Sequence, residues 1–198
     1  TLPQGTYETI LVEGIGKGNG DLTFDAMYVE GKFQGLGRLE GRLLTVDGIV
    51  TGNKRVKVKE LCVNGYLQIK GESIYADRIE VNGILKCPRE VSADDIEVDG
   101  YIETQLLCGD HIYLNYRETR RMEKFLTFMG KKRSLPSIQR VECTYLEASS
   151  FSCSHICAQD VTLQSHCHID VIECDGVLRM DDTCVVKELR GDYTLEII

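Results

Sequence analysis

Two short stretches in the second half of the sequence combine the side chains that bind zinc. They read CSHIC over residues 153–157 and HCH over residues 166–168, and together they span sixteen residues. Thiolates and imidazoles are the ligands that zinc prefers, although this spacing matches no zinc-finger pattern. The candidate metal ligands are Cys153, His155, Cys157, His166 and His168, with Cys167 between the two last histidines.

The spacing of the cysteines favours a structural explanation over a metal site. Cys157 and Cys174 are seventeen residues apart, as are Cys167 and Cys184. Cysteine packs as a small apolar side chain, so thiols at a fixed interval can fill a core. We therefore expect buried thiols and no cofactor. Nine cysteines at irregular spacing in 198 residues also favour free thiols in a reducing cytoplasm over a secreted disulfide framework.

Other chemical signals in the sequence are weak. The stretch GIGKGNG (14–20) lacks the Gly-Lys-Ser/Thr ending and the following helix of a phosphate-binding loop. No histidine stands near a nucleophile with an orienting carboxylate, so we predict that the protein is not an enzyme and has no small-molecule substrate. A net charge of −8 argues against nucleic acid as a partner. No apolar stretch is long enough to span a bilayer.

The interval of seventeen residues is a repeat that runs through most of the chain. Val-x-Gly units recur at intervals of 17, 17, 17, 18 and 17, and they end at Gly14, Gly31, Gly48, Gly65, Gly83 and Gly100. Apolar residues stand two, four and nine positions before these glycines, with polar residues between them. Such alternation is typical of half-buried β-strands.

A unit of seventeen residues cannot bury its own apolar face, but stacked units can. The sequence therefore predicts an all-β fold, a β-helix solenoid with three faces, about 17 residues per coil and ten or eleven coils. Val63, Val81 and Val98 should lie on top of one another. Further predicted inward residues are Ile102, Cys108, Ile112 and Leu114, the series Cys143, Ala158 and Cys174, and the series Val141, Ile156 and Ile172.

A helical insertion is predicted between two sets of coils. Met122, Phe125, Leu126 and Met129 follow helical spacing, and Gly130 is a typical helix end. The predicted parts of this single domain are coils at 1–115, a helical insertion and basic loop at 116–137, and coils at 138–198. The insertion could bind an acidic partner or an anionic membrane surface through a cationic patch of Arg117, Arg120, Arg121, Lys124, Lys131, Lys132 and Arg133.

The repeat unit resembles that of the bactofilins, a family of polymer-forming bacterial cytoskeletal proteins. The matching units are ADRIEVNGIL (76–85), ADDIEVDGYI (93–102) and, more loosely, residues 170–178. The resemblance implies a right-handed, triangular β-helix that polymerises end to end without nucleotide. It also implies a cytoplasmic scaffold for cell shape, polarity, envelope or motility machinery, with a peripheral location at the inner membrane and an envelope protein as a possible partner. The insertion and the abundant cysteines depart from the family pattern.

The predicted ends of the coil indicate the same function, independently of the resemblance to bactofilins. A β-helix leaves unpaired strand edges at both ends, and such edges recruit further strands. The apolar residues predicted to form the assembly ends are Ile10, Leu11, Val12, Leu189, Tyr193, Leu195 and Ile197. We therefore predict self-association into filaments or oligomers.

Three other functions compete with this prediction. A non-polymerising adaptor would bind its partner through the insertion, and the sequence does not separate this alternative from a scaffold. A left-handed β-helix acyltransferase needs a strict hexapeptide period, which a repeat of seventeen does not fit. A carbohydrate-binding or pectin-lyase-like β-helix carries clustered Asp, Arg and Lys sites or an aromatic platform on one face. Aromatic residues make up only 7% of this chain and do not recur in a stripe.

Overall fold

The computed structural model describes residues 1–116 and 137–198. In these two ranges the chain forms nineteen strands, joined by parallel pairing into a β-solenoid of about ten turns. No helix occurs in the described ranges. The helical insertion predicted at 116–130 lies, apart from residue 116, outside the described residues.

The strands follow one another around the coil in a regular order. Those before the undescribed segment are β1 (Gly5–Val12), β2 (Ile15–Gly18), β3 (Leu22–Val29), β4 (Lys32–Gly35), β5 (Leu39–Val46), β6 (Ile49–Gly52), β7 (Val56–Val63), β8 (Tyr66–Ile69), β9 (Ile74–Tyr75), β10 (Arg78–Val81), β11 (Ile84–Ser92), β12 (Asp95–Val98) and β13 (Tyr101–Asn115). Those after it are β14 (Ser137–Ser149), β15 (Ser152–Leu163), β16 (His168–Cys174), β17 (Val177–Met180), β18 (Val185–Arg190) and β19 (Thr194–Ile197).

The core is a set of aliphatic columns inside the coil, and it forms because each strand buries alternate side chains. Val81 pairs with Val63 on one side and with Val98 on the other, which confirms the predicted stacking. All three are buried. Burying each such side chain contributes about 1.5–3 kcal/mol. One column that runs through the described coil contains Ile10, Met27, Leu44, Leu61, Ile79, Ile96, Ile112, Leu146, Val161, Leu178 and Leu195.

The Val-x-Gly units form bends between successive strands, such as β7 and β8. The backbone N–H groups of Asn64 and Gly65 both donate to the carbonyl oxygen of Val46 in the preceding turn. The Asn64 side chain donates to Asp47 at 2.8 Å, and the Asn82 side chain donates to Asn64 at 3.1 Å. Stacked amides and carboxylates therefore satisfy the polar groups of these bends, which explains why Asn or Asp so often precedes the glycine.

The coil continues directly across the undescribed segment. Ile112 in β13 pairs with Leu146 in β14, so the aliphatic column is unbroken. Later pairings join residues that are 15, 16 or 17 positions apart, in agreement with the shorter period predicted for this half. The predicted series Val141–Ile156–Ile172 is confirmed.

The inward position predicted for Cys108, in the long strand β13, is wrong. Leu107 is fully buried, whereas the neighbouring Cys108, which we predicted to point inward, is half-buried. Cys108 pairs with Ser92 and with Glu142, two residues on the outer surface of the coil. The long strand β13 turns a corner here, and the alternation expected from the preceding residues shifts by one position.

Candidate functional site

The structure distributes the candidate metal ligands instead of gathering them. Cys153 points into the core, where its thiol donates to the backbone carbonyl of His155 at 3.3 Å. His155 and Cys157 lie on the other side of the strand, flanking the buried Ile156. His166 occupies a bend with a φ of 60°, and His168 is exposed. Among the described residues, no three His, Cys, Asp or Glu side chains are grouped to hold a metal ion.

The cysteine columns are confirmed in part. Cys143, Ala158 and Cys174 stack as predicted. The predicted stacking of Cys157 on Cys174 is wrong, because Cys157 pairs with Glu142 and Glu173 on the outer surface. Cys167 is fully buried and its thiol contacts Cys184 in the next turn. All nine cysteines are free thiols.

Burial controls the protonation of the inner thiols. It raises the pKa of Cys143 and of Cys153 to about 12, from an ordinary value of 9.0. Burial and the neighbouring Cys184 together raise the pKa of Cys167 to about 12. Since the folded state holds these protons more tightly than the unfolded chain, their contribution to stability is complete below pH 9 and is lost as the pH rises toward 12.

Alkylation should distinguish the inner thiols from the outer ones. At about pH 8 we expect iodoacetamide to modify Cys157 while leaving Cys153 and Cys167 unmodified, because burial excludes the reagent and keeps these two thiols protonated. In urea all three should react. All three cysteines lie in one tryptic peptide, residues 141–179, so tandem mass spectrometry that locates the label within this peptide measures the three rates. Equal rates for Cys153 and Cys157 in the folded protein would contradict the placement of Cys153.

A groove of about 770 Å³ lies on the outside of the coil. The His111 ring stacks on Tyr145 there, with centroids 5.1 Å apart. The charged groups are paired along the stack: Asp95 lies 3.5 Å from His111, and Arg78 lies 3.6 Å from Glu97. Ion pairs between side chains of successive turns explain this arrangement of charges, so the groove gives no sign of a particular ligand.

A second polar cluster on the outer surface surrounds His155. Its Nε2 lies 3.3 Å from a Glu173 carboxylate oxygen, and its Nδ1 lies 3.1 Å from Arg140 Nη1. Because the guanidinium can only donate, Nδ1 accepts and the proton of a neutral ring sits on Nε2. Glu173 also pairs with Arg190 at 3.4 Å. The cluster links three successive strands, β14, β15 and β16, with the last turn.

The amino-terminal end of the coil has a covered core. Ile10 and Val12, predicted as assembly residues, are only 4% and 7% exposed, while Leu11 between them points outward and is 57% exposed. The Tyr7 ring supplies part of the cover. Gly5 occupies a column position that is leucine in the next two turns, and a Cβ at Gly5 would lie 3.6 Å from the Tyr7 ring. The Tyr7 hydroxyl donates to the carbonyl of Pro3 at 3.0 Å.

The carboxyl-terminal end of the coil has an open core. Leu195 and Ile197 continue the inward columns of Leu178 and Met180, yet they are 45% and 62% exposed. The adjoining Val185 and Ile198 are 53% and 57% exposed. Among the described strands, β18 pairs only with β16 and β19 only with β17, so each presents one unpaired edge. Leu189 and Tyr193 are half-buried and pack against the core.

The sequence predicted the apolar residues of both ends but not the difference between them. Tyr7 was the missed residue. Its only signal was an aromatic side chain placed two residues after a glycine that stands where the other turns have Leu, Val or Ile. The cationic patch predicted at 117–133 lies outside the described residues.

Comparison with models of known families, with curated proteins and with solved structures finds no match for this chain. In the described ranges, no helix has the length and apolar character needed to cross a membrane.

Proposed function

We propose that this protein is a non-enzymatic scaffold that associates with copies of itself end to end. The observation that carries the proposal is the open carboxyl-terminal core, where Leu195 and Ile197 hold inward column positions with no turn above them among the described residues. Exposed apolar patches of this kind mark association surfaces. In this proposal another copy supplies the missing cover.

The unpaired edges of β18 and β19 support the same proposal. A flat edge strand with free N–H and C=O groups pairs readily with a strand from another chain. Natural proteins often protect such edges with charges that point along the edge. Here charged side chains of the last turn instead form ion pairs with residues of the preceding turn. Lys187 lies 2.6 Å from Asp170, and Glu196 lies 2.7 Å from Arg179.

The resemblance of the repeat to bactofilins adds a biological setting to this proposal. On that basis we propose a right-handed coil of triangular section, a helical insertion at 116–130, and a scaffolding role in the cytoplasm, at the inner membrane or for envelope machinery. The parallel pairing of successive turns, with alternate side chains buried in columns, is the observation that supports a coil. The assembly mode is a proposal from the open end, and the cellular role follows from the resemblance.

A charge placed in the open core should abolish the association. We expect Leu195→Asp to weaken self-association by about a hundredfold or more, because contact would bury an unpaired carboxylate. Sedimentation equilibrium over a wide concentration range measures the dissociation constant. Circular dichroism and thermal unfolding check that the variant keeps its fold.

The matched control is Thr194→Asp, one residue earlier on the same strand. Thr194 is exposed and sits in an outward column, so its carboxylate would stay in water. We expect its dissociation constant to stay within about threefold of the original. The proposal fails if the unmodified chain remains a monomer at every concentration, or if both substitutions have the same effect.

A further inference from the structure

The sequence contains three Asn-Gly pairs, and such a pair can react in water without any other partner. They are Asn19–Gly20, Asn64–Gly65 and Asn82–Gly83, and all three asparagines are exposed. The glycine backbone nitrogen attacks the side-chain amide carbon of the asparagine, a succinimide ring forms, and ammonia leaves. Water then opens the ring to aspartate or isoaspartate. Glycine favours the attack because it has no side chain to hinder it.

Two of the three pairs lie in Val-x-Gly bends, where the stack of turns holds the glycine nitrogen. The Gly65 N–H donates to the Val46 carbonyl at 2.8 Å, and the Gly83 N–H donates to the Val63 carbonyl at 2.8 Å. The nitrogen can attack only after it has given up this proton and turned toward the asparagine side chain. Attack at either pair therefore requires that the bend first leave the stack.

The asparagine side chains of these two bends are held as well. Asn64 donates to Asp47 at 2.8 Å, and Asn82 donates to Asn64 at 3.1 Å. Asn82 also donates to Glu80 at 2.8 Å. Rotating either amide toward its glycine nitrogen would give up these hydrogen bonds. Both reacting groups are therefore restrained in each of the two bends.

The Asn19–Gly20 pair lies in a different bend, which joins β2 to β3. Within the described ranges, neither the Asn19 side chain nor the Gly20 N–H makes a hydrogen bond. A turn is nevertheless present on each side of this bend. A Cβ at Gly20 would lie 2.8 Å from the Gln4 Cβ, and a Cβ at Gly37 would overlap the Gly20 backbone. The nitrogen is therefore unbonded because of the shape of this bend, and not because a neighbouring turn is missing.

We infer that Asn19 is the site at which the folded protein deamidates, and that Asn64 and Asn82 react only after their turns have opened. The reaction consumes one water molecule, releases one ammonia molecule and converts a neutral amide to a carboxylate. It needs no enzyme and no oxidant. The inference is independent of the proposed self-association, because it depends only on hydrogen bonds within the stack.

The product of the reaction would disturb the stack at Asn64 but not at Asn19. A carboxylate in place of the Asn64 amide would face the Asp47 carboxylate, which now accepts a hydrogen bond from that amide. Two like charges so close together repel. Isoaspartate would also add one atom to the backbone of a tightly stacked bend. At Asn19 no side-chain hydrogen bond is lost. A turn that opens long enough to deamidate at Asn64 should therefore rewind less stably.

Peptide mapping of the aged protein tests the inference. Trypsin places the three pairs in separate peptides, residues 18–32, 60–70 and 79–86, so mass spectrometry measures each conversion separately. The full chain is incubated at mildly alkaline pH, folded and in urea. In urea we expect the three rates to agree within about threefold, because the unfolded chain keeps none of these bonds. In the folded chain we expect Asn19 to stay within about tenfold of that rate, and Asn64 and Asn82 to slow by about a hundredfold or more.

Two variants separate the type of bend from its position along the coil. Leu36→Asn places an asparagine before Gly37, at the same corner one turn later, and in the described structure the Gly37 N–H makes no hydrogen bond. Asp47→Asn places an asparagine before Gly48, whose N–H donates to the Val29 carbonyl at 2.8 Å. We expect the new asparagine to deamidate about tenfold faster or more in the first variant than in the second.

Several results would overturn the inference. One is equal protection of Asn19 and Asn64 in the folded chain, and another is conversion of Asn64 or Asn82 at the rate measured in urea. Slow conversion in folded Leu36→Asn, beside rapid conversion at Asn19, would show that fraying of the first turn controls the reaction. Rapid conversion in folded Asp47→Asn would show that the glycine hydrogen bond gives no protection. If a variant does not fold, the three pairs of the unmodified chain decide the outcome.

Discussion

Replacing Gly65 with alanine is expected to lower the free energy of unfolding by about 3 kcal/mol, near the upper end of what overpacking a buried site costs. The cause is the close approach of successive turns. A Cβ at Gly65 would overlap the carbonyl oxygen of Gly48 in the turn before. That oxygen is fixed, because it accepts a hydrogen bond of 2.8 Å from the N–H of Tyr66. The backbone itself would have to move.

The same overlap explains why glycine recurs in the repeat. A Cβ at Gly31, Gly48, Gly83 or Gly100 would likewise overlap the carbonyl oxygen of the corresponding glycine one turn earlier. Glycine does not occupy these positions because the backbone needs a positive φ. Among the described residues, Gly191 is the only glycine with a positive φ. Glycine is required because no atom fits between the stacked bends.

Gly14 provides the matched control for Gly65. It is the first glycine of the series, and nothing lies within 4 Å of the position of its Cβ. We expect Gly14→Ala to change the free energy of unfolding by no more than about 0.5 kcal/mol. Urea denaturation followed by circular dichroism measures both variants. Equal effects at the two positions would contradict the stacking of the bends.

Replacing Phe33 with alanine is expected to cost about 4 kcal/mol, since large-to-small changes at buried aromatic residues cost about 3–5 kcal/mol. Phe33 is fully buried and has unusually small neighbours. A Cβ at Gly16 would lie 3.1 Å from its ring, one at Gly18 3.0 Å, and one at Gly35 3.4 Å. The ring therefore fills the space that three glycines leave empty, and they cannot fill the cavity after its removal.

Tyr28 is the matched control for Phe33. It is an aromatic residue on the preceding long strand, but it points outward and is 37% exposed. We expect Tyr28→Ala to cost about 1 kcal/mol or less, because little apolar surface is lost from the core. Thermal and urea unfolding should rank the two variants in this order. A Phe33→Ala variant as stable as Tyr28→Ala would mean that the ring does not fill the core of the first turns.

The regular part of the fold could be predicted from the sequence because its cause is periodic. A repeat of seventeen residues with alternating apolar positions specifies stacked parallel strands, and the columns through Val63 and Ile156 follow from counting alone. Counting fails where the alternation shifts or where a turn is shorter than seventeen residues. Cys108 lies outside because the alternation of β13 shifts between Thr104 and Leu107. Cys157 lies outside because its turn has sixteen residues, so that Ala158 and not Cys157 pairs with Cys174.

The difference between the ends could not be predicted, because it depends on a contact outside the repeat. Both terminal turns have apolar residues at the column positions, and sequence spacing treats Ile10 and Leu195 alike. In the structure Ile10 is 4% exposed and Leu195 is 45% exposed, and at the first turn Leu2 and Tyr7 pack against the core. Such contacts depend on three-dimensional packing between residues with no regular spacing. The repeat therefore predicts where an assembly surface can exist, and the packing determines which end is open.

Hydrogen exchange at low and high protein concentration tests the central claim most directly, because it reports on the backbone edges that would form the contact. We predict that amides in β18 and β19 gain protection as concentration rises, while amides in β1 exchange at the same rate at both concentrations. Protection that appears in β1, or rates in β18 and β19 that do not depend on concentration, would contradict the claim that copies join through the open carboxyl-terminal turn.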